Sequence, residues 1–152
     1  MNLKVLTIAL GVIILVLLGI LIFVPERNNG PSPQPNATST LYSYTSTKGK
    51  TVRVNVAPDQ LVPSPLILRG DVATWYFEAS FPIRLLDANG TLLAEGPATA
   101  EGDWMVATPV PYRLTLTFPT PSTATGTLVL HNDNASGLPE NDDEIRIPVR
   151  FR

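Results

Sequence analysis

The sequence offers few side chains for nucleophilic or metal chemistry. It contains no cysteine and a single histidine, His131, which excludes a cysteine nucleophile and a zinc site built from several imidazole or thiolate ligands. A Ser-His-Asp arrangement would need a serine beside His131, and the sequence has no nucleophile-elbow motif. We therefore predict that His131 is an ordinary residue at a strand end, that there are no catalytic residues, and that the chain is not an enzyme.

The most acidic segment, which we call the acidic loop, runs from Asn132 to Glu144 and reads NDNASGLPENDDE. Its carboxylates are Asp133, Glu140, Asp142, Asp143 and Glu144, and its other oxygen-bearing side chains include Asn132, Asn134 and Ser136. Oxygen ligands suit calcium, and the spacing superficially resembles a calcium loop with Asp143 in the last position. However, the first ligand would be neutral, Pro139 occupies the position where an apolar, strand-like residue is expected, and the flanking elements are predicted strands rather than helices. We predict a solvated loop with no metal and no cofactor, and keep calcium binding as the alternative.

Three aromatic side chains, Trp75, Tyr76 and Trp104, could form a platform that stacks on the sugar rings of a wall glycan. Aromatic residues in strands are more often part of the core, so a core role is favoured and glycan binding is the alternative. Alternation places Trp75 and Phe77 on one strand face, predicted to point inward, and Tyr76 on the other. Tyr76 is therefore the better candidate for exposure.

Strands are the elements that would position these residues. After Lys50, apolar and polar residues alternate between breaks at Gly, Pro, Asn and Asp, without a sustained helical period. The clearest strand is Glu144 to Phe151, whose inward face is predicted to be Ile145, Ile147, Val149 and Phe151. Because Pro148 cannot donate a backbone hydrogen bond, we expect an edge strand with the proline nitrogen directed away from its neighbour.

Further strands are predicted at short, regular spacing. They are Val52 to Val56, Leu66 to Arg69, a strand around Trp75 to Phe77, Phe81 to Leu86, Thr91 to Glu95, Trp104 to Ala107, Tyr112 to Phe118 and Gly126 to His131. Asp87-Ala88-Asn89-Gly90 is predicted to be a turn, since Asn and Gly tolerate positive φ angles. Seven to nine short strands are typical of an all-β sandwich.

Several segments carry a family resemblance. They are WYFEASFPI from Trp75, LDANG from Leu86, GDWM from Gly102, DNASGLP from Asp133 and IPV from Ile147. In this order, over about residues 62 to 151, they resemble the immunoglobulin-like domain associated with bacterial spore-germination proteins. The resemblance implies a bacterial, extracytoplasmic, immunoglobulin-like β-sandwich with no established catalytic residues. The sequence departs from the family at Ala135, where the resemblance leads us to expect proline.

A long apolar run, VLTIALGVIILVLLGILIFV, occupies Val5 to Val24. At about 1.5 Å per helical residue it is long enough to span a hydrocarbon core of about 30 Å. No small-residue cleavage motif follows it, so residues 1–24 are predicted to be an uncleaved transmembrane anchor, with a cleaved signal peptide as the alternative. Lys4 and the amino terminus favour an extracytoplasmic position for the rest of the chain.

Charge and composition divide the chain near residue 50. Residues 25–50 are rich in Pro, Ser, Thr, Asn and Gly and are predicted to be a flexible linker, with the folded domain at 51–152. The first fifty residues carry a formal charge of +3 and the rest −5, which argues against nucleic-acid binding. We therefore predict a single-pass, non-enzymatic module at the cell membrane that binds another protein or the cell wall; a glycan- or calcium-binding envelope domain is the alternative.

Overall fold

The computed structural model describes residues 40–152, and these form an all-β domain. Its nine strands are β1 Tyr42–Thr45, β2 Thr51–Val54, β3 Gln60–Leu61, β4 Leu66–Val72, β5 Ser80–Asp87, β6 Leu92–Ala100, β7 Val110–Leu116, β8 Thr125–His131 and β9 Glu144–Arg150. One short 3-10 helix, Pro139–Asn141, lies between β8 and β9. Within residues 40–152 no helix is long and apolar enough to cross a membrane. The predicted anchor and residues 25–39 of the predicted linker lie outside the described residues.

The strands form one curled sheet in the order β1-β2-β4-β7-β6-β5-β8-β9-β3. The sheet has two halves, β1-β2-β4-β7 and β6-β5-β8-β9-β3. Strand β6 pairs with β5 along most of its length but with β7 only at Thr99 and Ala100, and this short pairing joins the halves. The all-β prediction and the number of strands are confirmed. The predicted sandwich is present as a single curled sheet rather than as two separate sheets.

One hydrophobic core is shared by both halves of the sheet. Its fully buried members include Val52, Val54, Leu68 and Tyr112 from one half and Phe81, Ile83, Leu85, Leu128, Leu130, Ile147 and Val149 from the other. Burying one aliphatic side chain of this size contributes roughly 1.5–3 kcal/mol. The alternation predicted for the last strand is confirmed, since Ile145, Ile147 and Val149 are buried and Arg146, Pro148 and Arg150 are exposed.

Strand β9 is not at the edge of the sheet, contrary to the prediction. Strand β3 pairs with its outer side, in parallel, at Gln60 and Leu61. The prediction for the proline nitrogen holds only with respect to β8: the Pro148 carbonyl accepts a hydrogen bond of 2.8 Å from the backbone nitrogen of Asp59, on the side away from β8, where β3 lies. The nitrogen and carbonyl of a strand residue point to the same side, so the proline removes no hydrogen bond from β8.

The folded domain begins before residue 51, where the sequence analysis placed its boundary. Residues 42–45, assigned to the flexible linker, form β1 and pair antiparallel with β2. The Tyr44 hydroxyl donates a 2.7 Å hydrogen bond to the Val56 carbonyl, and Gly49 has the positive φ of 78° that the β1–β2 turn requires. The segment is ordered through these bonds although its composition resembles that of a linker.

Two other predicted strands are irregular connections in the structure. Residues 73–79, around Trp75 to Phe77, connect β4 to β5, and residues 101–109, which include Trp104 to Ala107, connect β6 to β7. The predicted turn at Asp87 to Gly90 is confirmed: the Asp87 carboxylate accepts 2.8 Å hydrogen bonds from the backbone nitrogens of Asn89 and Thr91.

Four connections lie at one end of the sheet, which we call the loop end. They are residues 46–50, 73–79, 101–109 and 132–143. The pairings place them together, because Val72 at the end of β4 lies opposite Val52 and Val110, and Glu144 lies opposite His131. The chain enters the domain at the other end, where Tyr42 pairs with Val54.

Candidate functional site

The carboxylate of Asp143 lies at the centre of the loop end and is only 4% exposed. Its Oδ2 atom accepts hydrogen bonds from the Ser46 hydroxyl (2.8 Å) and the Trp75 indole nitrogen (3.2 Å). Its Oδ1 atom accepts from the Thr47 hydroxyl and the Lys48 backbone nitrogen, both at 2.9 Å. One side chain therefore ties the acidic loop to the β1–β2 turn and to the β4–β5 connection.

These hydrogen bonds also set the ionisation of Asp143. Burial alone would raise the pKa of this carboxyl group, but the four donors outweigh burial and hold its pKa below the ordinary value. Dipoles rather than a cation stabilise the charge. Asp143 is therefore an internal structural anion, and the prediction that it belongs to a solvated loop is wrong for this residue.

The outer part of the acidic loop is held by its own polar side chains. The Oδ1 atom of Asn134 accepts hydrogen bonds from the backbone nitrogen (3.2 Å) and hydroxyl (2.6 Å) of Ser136, and its Nδ2 atom donates to Asp142 at 2.7 Å. In residues 40–152 no group of three or more His, Cys, Asp or Glu side chains is arranged to hold a metal ion. Because Asp143 faces inward and is already bonded to four donors, the geometry argues against a calcium loop that ends at this residue.

His131 ends β8, as predicted from its position. Its Nδ1 atom lies 2.6 Å from the Asn132 carbonyl oxygen and its Nε2 atom 3.7 Å from Asp142. In the described part of the chain, no serine hydroxyl is hydrogen-bonded to the imidazole. The structure therefore assembles no nucleophile and base around His131.

The predicted faces of Tyr76 and Phe77 are reversed in the structure. Trp75 and Tyr76 are both buried, whereas Phe77 is 45% exposed. The chain is not extended here, because Thr74, Glu78 and Ala79 have positive φ angles of 61°, 49° and 63°. Side chains therefore do not alternate as they would in a strand, and the prediction that Tyr76 is exposed is wrong.

Trp75 and Tyr76 belong to an aromatic cluster centred on Phe81. The Phe81 ring makes edge contacts with the rings of Trp75, Tyr76 and Tyr112 at centroid distances of 5.8, 5.3 and 4.9 Å. The Tyr76 hydroxyl donates to the Val110 carbonyl at 2.6 Å, and burial raises its pKa. Since Trp104 is also partly buried against the core, the three aromatic residues form no open platform for a sugar ring.

The exposed apolar side chains of the loop end are different ones. Phe77, Met105 and Leu138 are 45%, 77% and 50% exposed, and each belongs to a different loop. The sequence analysis assigned Phe77 to the core and gave the other two no role. For Met105 and Leu138 the signal available in the sequence was a large apolar residue in a polar, irregular segment, as in Gly-Asp-Trp-Met and Ser-Gly-Leu-Pro.

Comparison with known families identifies the domain. The family described as the immunoglobulin-like domain of bacterial spore germination (Gmad2) matches residues 55–137, which is more than half of the chain. The chain belongs to this family. The resemblance found in the sequence is therefore confirmed, and the germination-type immunoglobulin-like domain includes the 73–79 loop and the first part of the acidic loop.

A comparison with solved structures gives a weaker similarity for this germination-type domain. The crystal structure of CopC from Methylosinus trichosporium OB3b is 15% identical in sequence, with a TM-score of 0.39, and the alignment covers 73% of this chain and 92% of that one. No curated protein sequence matches the chain.

Proposed function

We propose that the chain is a non-enzymatic binding module, anchored in the cell membrane by its N-terminal segment, that contacts another protein or the cell envelope from the extracytoplasmic side. Membership of the immunoglobulin-like germination family is the observation that carries this proposal. Folds of this type host many functions, so the argument from the family needs support from the site itself.

The geometry of the domain supports binding rather than catalysis. The Asp143 carboxylate points inward, and its four hydrogen bonds stabilise the fold. The aromatic residues that might have stacked on sugars lie in the core around Phe81. The exposed side chains of the loop end include apolar ones and more carboxylates than lysines, on hydrogen-bonded loops, and such a surface suits recognition of a partner.

The membrane anchor is supported by the apolar run from Val5 to Val24 and by Lys4 on its amino-terminal flank. The double variant Ile14→Lys with Leu17→Lys introduces two positive charges into this run. Each charge near the centre of a spanning helix costs about 2.5–3.5 kcal/mol, so we expect the variant to leave the membrane fraction.

The topology is tested by adding protease to spheroplasts that express the full chain with a C-terminal epitope tag. We expect cleavage of the tagged domain from the membrane, while a cytoplasmic marker protein stays intact. Complete protection of the tag would contradict the extracytoplasmic position. Release of the domain without protease would instead show a cleaved signal peptide.

A further inference from the structure

The loop end concentrates the negative charge of the domain. Its four loops contain two lysines and seven carboxylates, a formal charge of −5, whereas residues 40–152 as a whole contain nine basic and twelve acidic residues, a formal charge of −3. The rest of the domain is therefore net positive. Such an uneven distribution produces a field that attracts a basic partner to one end of the molecule.

Most of this charge is not neutralised within the domain. Glu78, Asp103, Asp133 and Glu140 make no ion pair with any residue between 40 and 152, whereas Glu101 is paired with Arg113 at 2.9 Å. The two lysines of the loop end bond to neutral oxygens: Lys48 Nζ donates to the Glu140 carbonyl and Lys50 Nζ to the Thr74 hydroxyl. Their positive charges are thus not paired with carboxylates.

The backbone of the 73–79 loop, which carries Phe77, is bonded to the acidic loop and to the end of β6. The Trp75 carbonyl accepts a 2.9 Å hydrogen bond from the Asp133 nitrogen on one side, and the Ala79 carbonyl accepts a 2.8 Å bond from the Ala100 nitrogen on the other. Phe77 and Ser80 also exchange backbone hydrogen bonds of 3.0 and 3.1 Å. Phe77 is therefore an exposed aromatic side chain on a backbone held from both sides, and little ordering entropy would be lost when it binds.

We propose that the loop end is the docking surface of this module, and that its partner is a protein surface rich in lysine and arginine that receives Phe77, with the exposed side chains of Met105 and Leu138 on two other loops as further apolar contacts. This inference rests on the proposed function and deepens it. Phe77 would supply the apolar contact at the centre of the interface, and Glu78, Asp103 and Glu140 would steer the basic partner and set the register.

Charge complementarity favours a basic protein over a second copy of the chain, a lipid surface or a nucleic acid as the partner. A second copy of the chain presenting the same end would place two surfaces of −5 against each other, and anionic lipid headgroups or nucleic acid would also be repelled. The chain enters the domain at the opposite end, near Tyr42, so the loop end is not where the N-terminal segment is attached.

The test is site-specific photo-crosslinking of the full chain in the membrane of the bacterium that produces it. A photoreactive phenylalanine analogue is placed at position 77 or 138. Matched controls carry it at position 61 or 92, because Leu61 and Leu92 are as exposed, at 55% and 51%, but lie at the opposite end of the sheet. We expect protein adducts from positions 77 and 138 in at least about fivefold excess over the controls, joined to a partner peptide with a net positive charge.

A charge-removal variant provides the second arm. Glu78→Gln combined with Asp103→Asn and Glu140→Gln should lower the adduct yield at position 77 by about fivefold or more, because steering by rim charges is lost. Asp59→Asn removes a carboxylate from the opposite end and should leave the yield unchanged. Equal yields for the triple variant and Asp59→Asn would contradict a basic partner.

The outcomes separate this inference from the proposed function. Adducts that form mainly at positions 61 or 92 overturn the docking surface while leaving a binding module in place. Adducts to lipid, to a second copy of the chain or to an acidic peptide overturn the basic partner. If none of the four positions gives an adduct, both the docking surface and the binding function are wrong.

Discussion

At the scale of single residues, the most consequential group is a buried carboxylate that has no cation beside it. A buried charge is tolerated only when hydrogen bonds replace its hydration. Asp143 meets this condition through Ser46, Thr47, Lys48 and Trp75, which come from two loops distant in sequence. The hydrogen bonds that compensate the desolvation of the Asp143 carboxylate therefore also link three connections of the domain.

The first prediction concerns the substitution Asp143→Asn. The Lys48 nitrogen and the Trp75 indole can only donate, and they bond to different oxygens of the carboxylate. Whichever way the asparagine amide is oriented, one of these donors faces an NH₂ group. An unmatched buried donor costs about 1–3 kcal/mol, and we expect a loss of this size in the free energy of unfolding, measured by urea denaturation. The control Asp142→Asn, at a half-exposed carboxylate, should change it by less than about 0.5 kcal/mol.

The same substitution predicts a pH dependence. The pKa of Asp143 is lower in the folded state than in the unfolded chain. The stability that its ionised carboxylate contributes is therefore fully present above the unfolded pKa of about 4 and is lost as the pH falls through the folded pKa. The stability difference between wild type and Asp143→Asn should therefore be largest at neutral pH and shrink below about pH 4. A difference that does not change with pH would show that the charge of Asp143 is not what the four donors stabilise.

The role of Asp143 could not be predicted from the sequence. The acidic run predicted a polar loop, and its outer part is one, but Ser46 lies 97 positions earlier in the chain in a segment whose composition suggested a linker. Local composition reports neither this long-range contact nor the burial that it brings. Trp75 was correctly assigned to the core because its size favours burial in any backbone conformation.

At the scale of elements, alternation predicted the long paired strands well. Strands β5, β7, β8 and β9 begin and end within two residues of the predicted bounds. One face of each of these strands lies on the core, so apolar and polar residues alternate along the sequence with a period of two. The short strands β1 and β3 were missed, since they are held mainly by backbone pairing and carry little apolar pattern. The strand predicted around Trp75 to Phe77 failed because three positive φ angles in residues 73–79 break the period.

The element-scale prediction tests how closely β2, β4 and β7 approach one another. A methyl group at Gly70 would overlap the Arg53 carbonyl oxygen and lie 2.5 Å from the Tyr112 hydroxyl, which itself donates to that carbonyl. Gly70→Ala should therefore lower the free energy of unfolding by about 3 kcal/mol or more. Gly96→Ala is the matched control in β6, since its methyl would meet only the movable ends of Leu114 and Leu116 at 3.0 and 3.4 Å. Similar losses for both variants in denaturant melts would mean that the close approach at Gly70 is absent.

At the scale of the whole domain, two sheet halves are joined by few backbone hydrogen bonds but by one core. Pairing between β6 and β7 is limited to two positions, whereas the buried residues of both halves form a single cluster. The Asp143 contacts add a second link, because Ser46 and Thr47 follow β1 in one half while Asp143 precedes β9 in the other. This arrangement supports a rigid loop end built from connections of both halves.

The last prediction follows from that shared core and concerns cooperativity. If the halves unfold together, a cavity made in one half must weaken the other by the same amount. Val149→Ala removes buried methyl groups from β9, and we expect it to lower the free energy of opening by about 1–3 kcal/mol, both for amides of β8 and for amides of β2 in the opposite half. Hydrogen exchange of the full chain in mild detergent, read by mass spectrometry along a urea series, measures both values. Arg150→Ala, at the adjacent exposed position, should change either by less than about 0.5 kcal/mol. Weakening confined to β8 and β9 would show that the halves open independently, and that the loop end is not one cooperative unit.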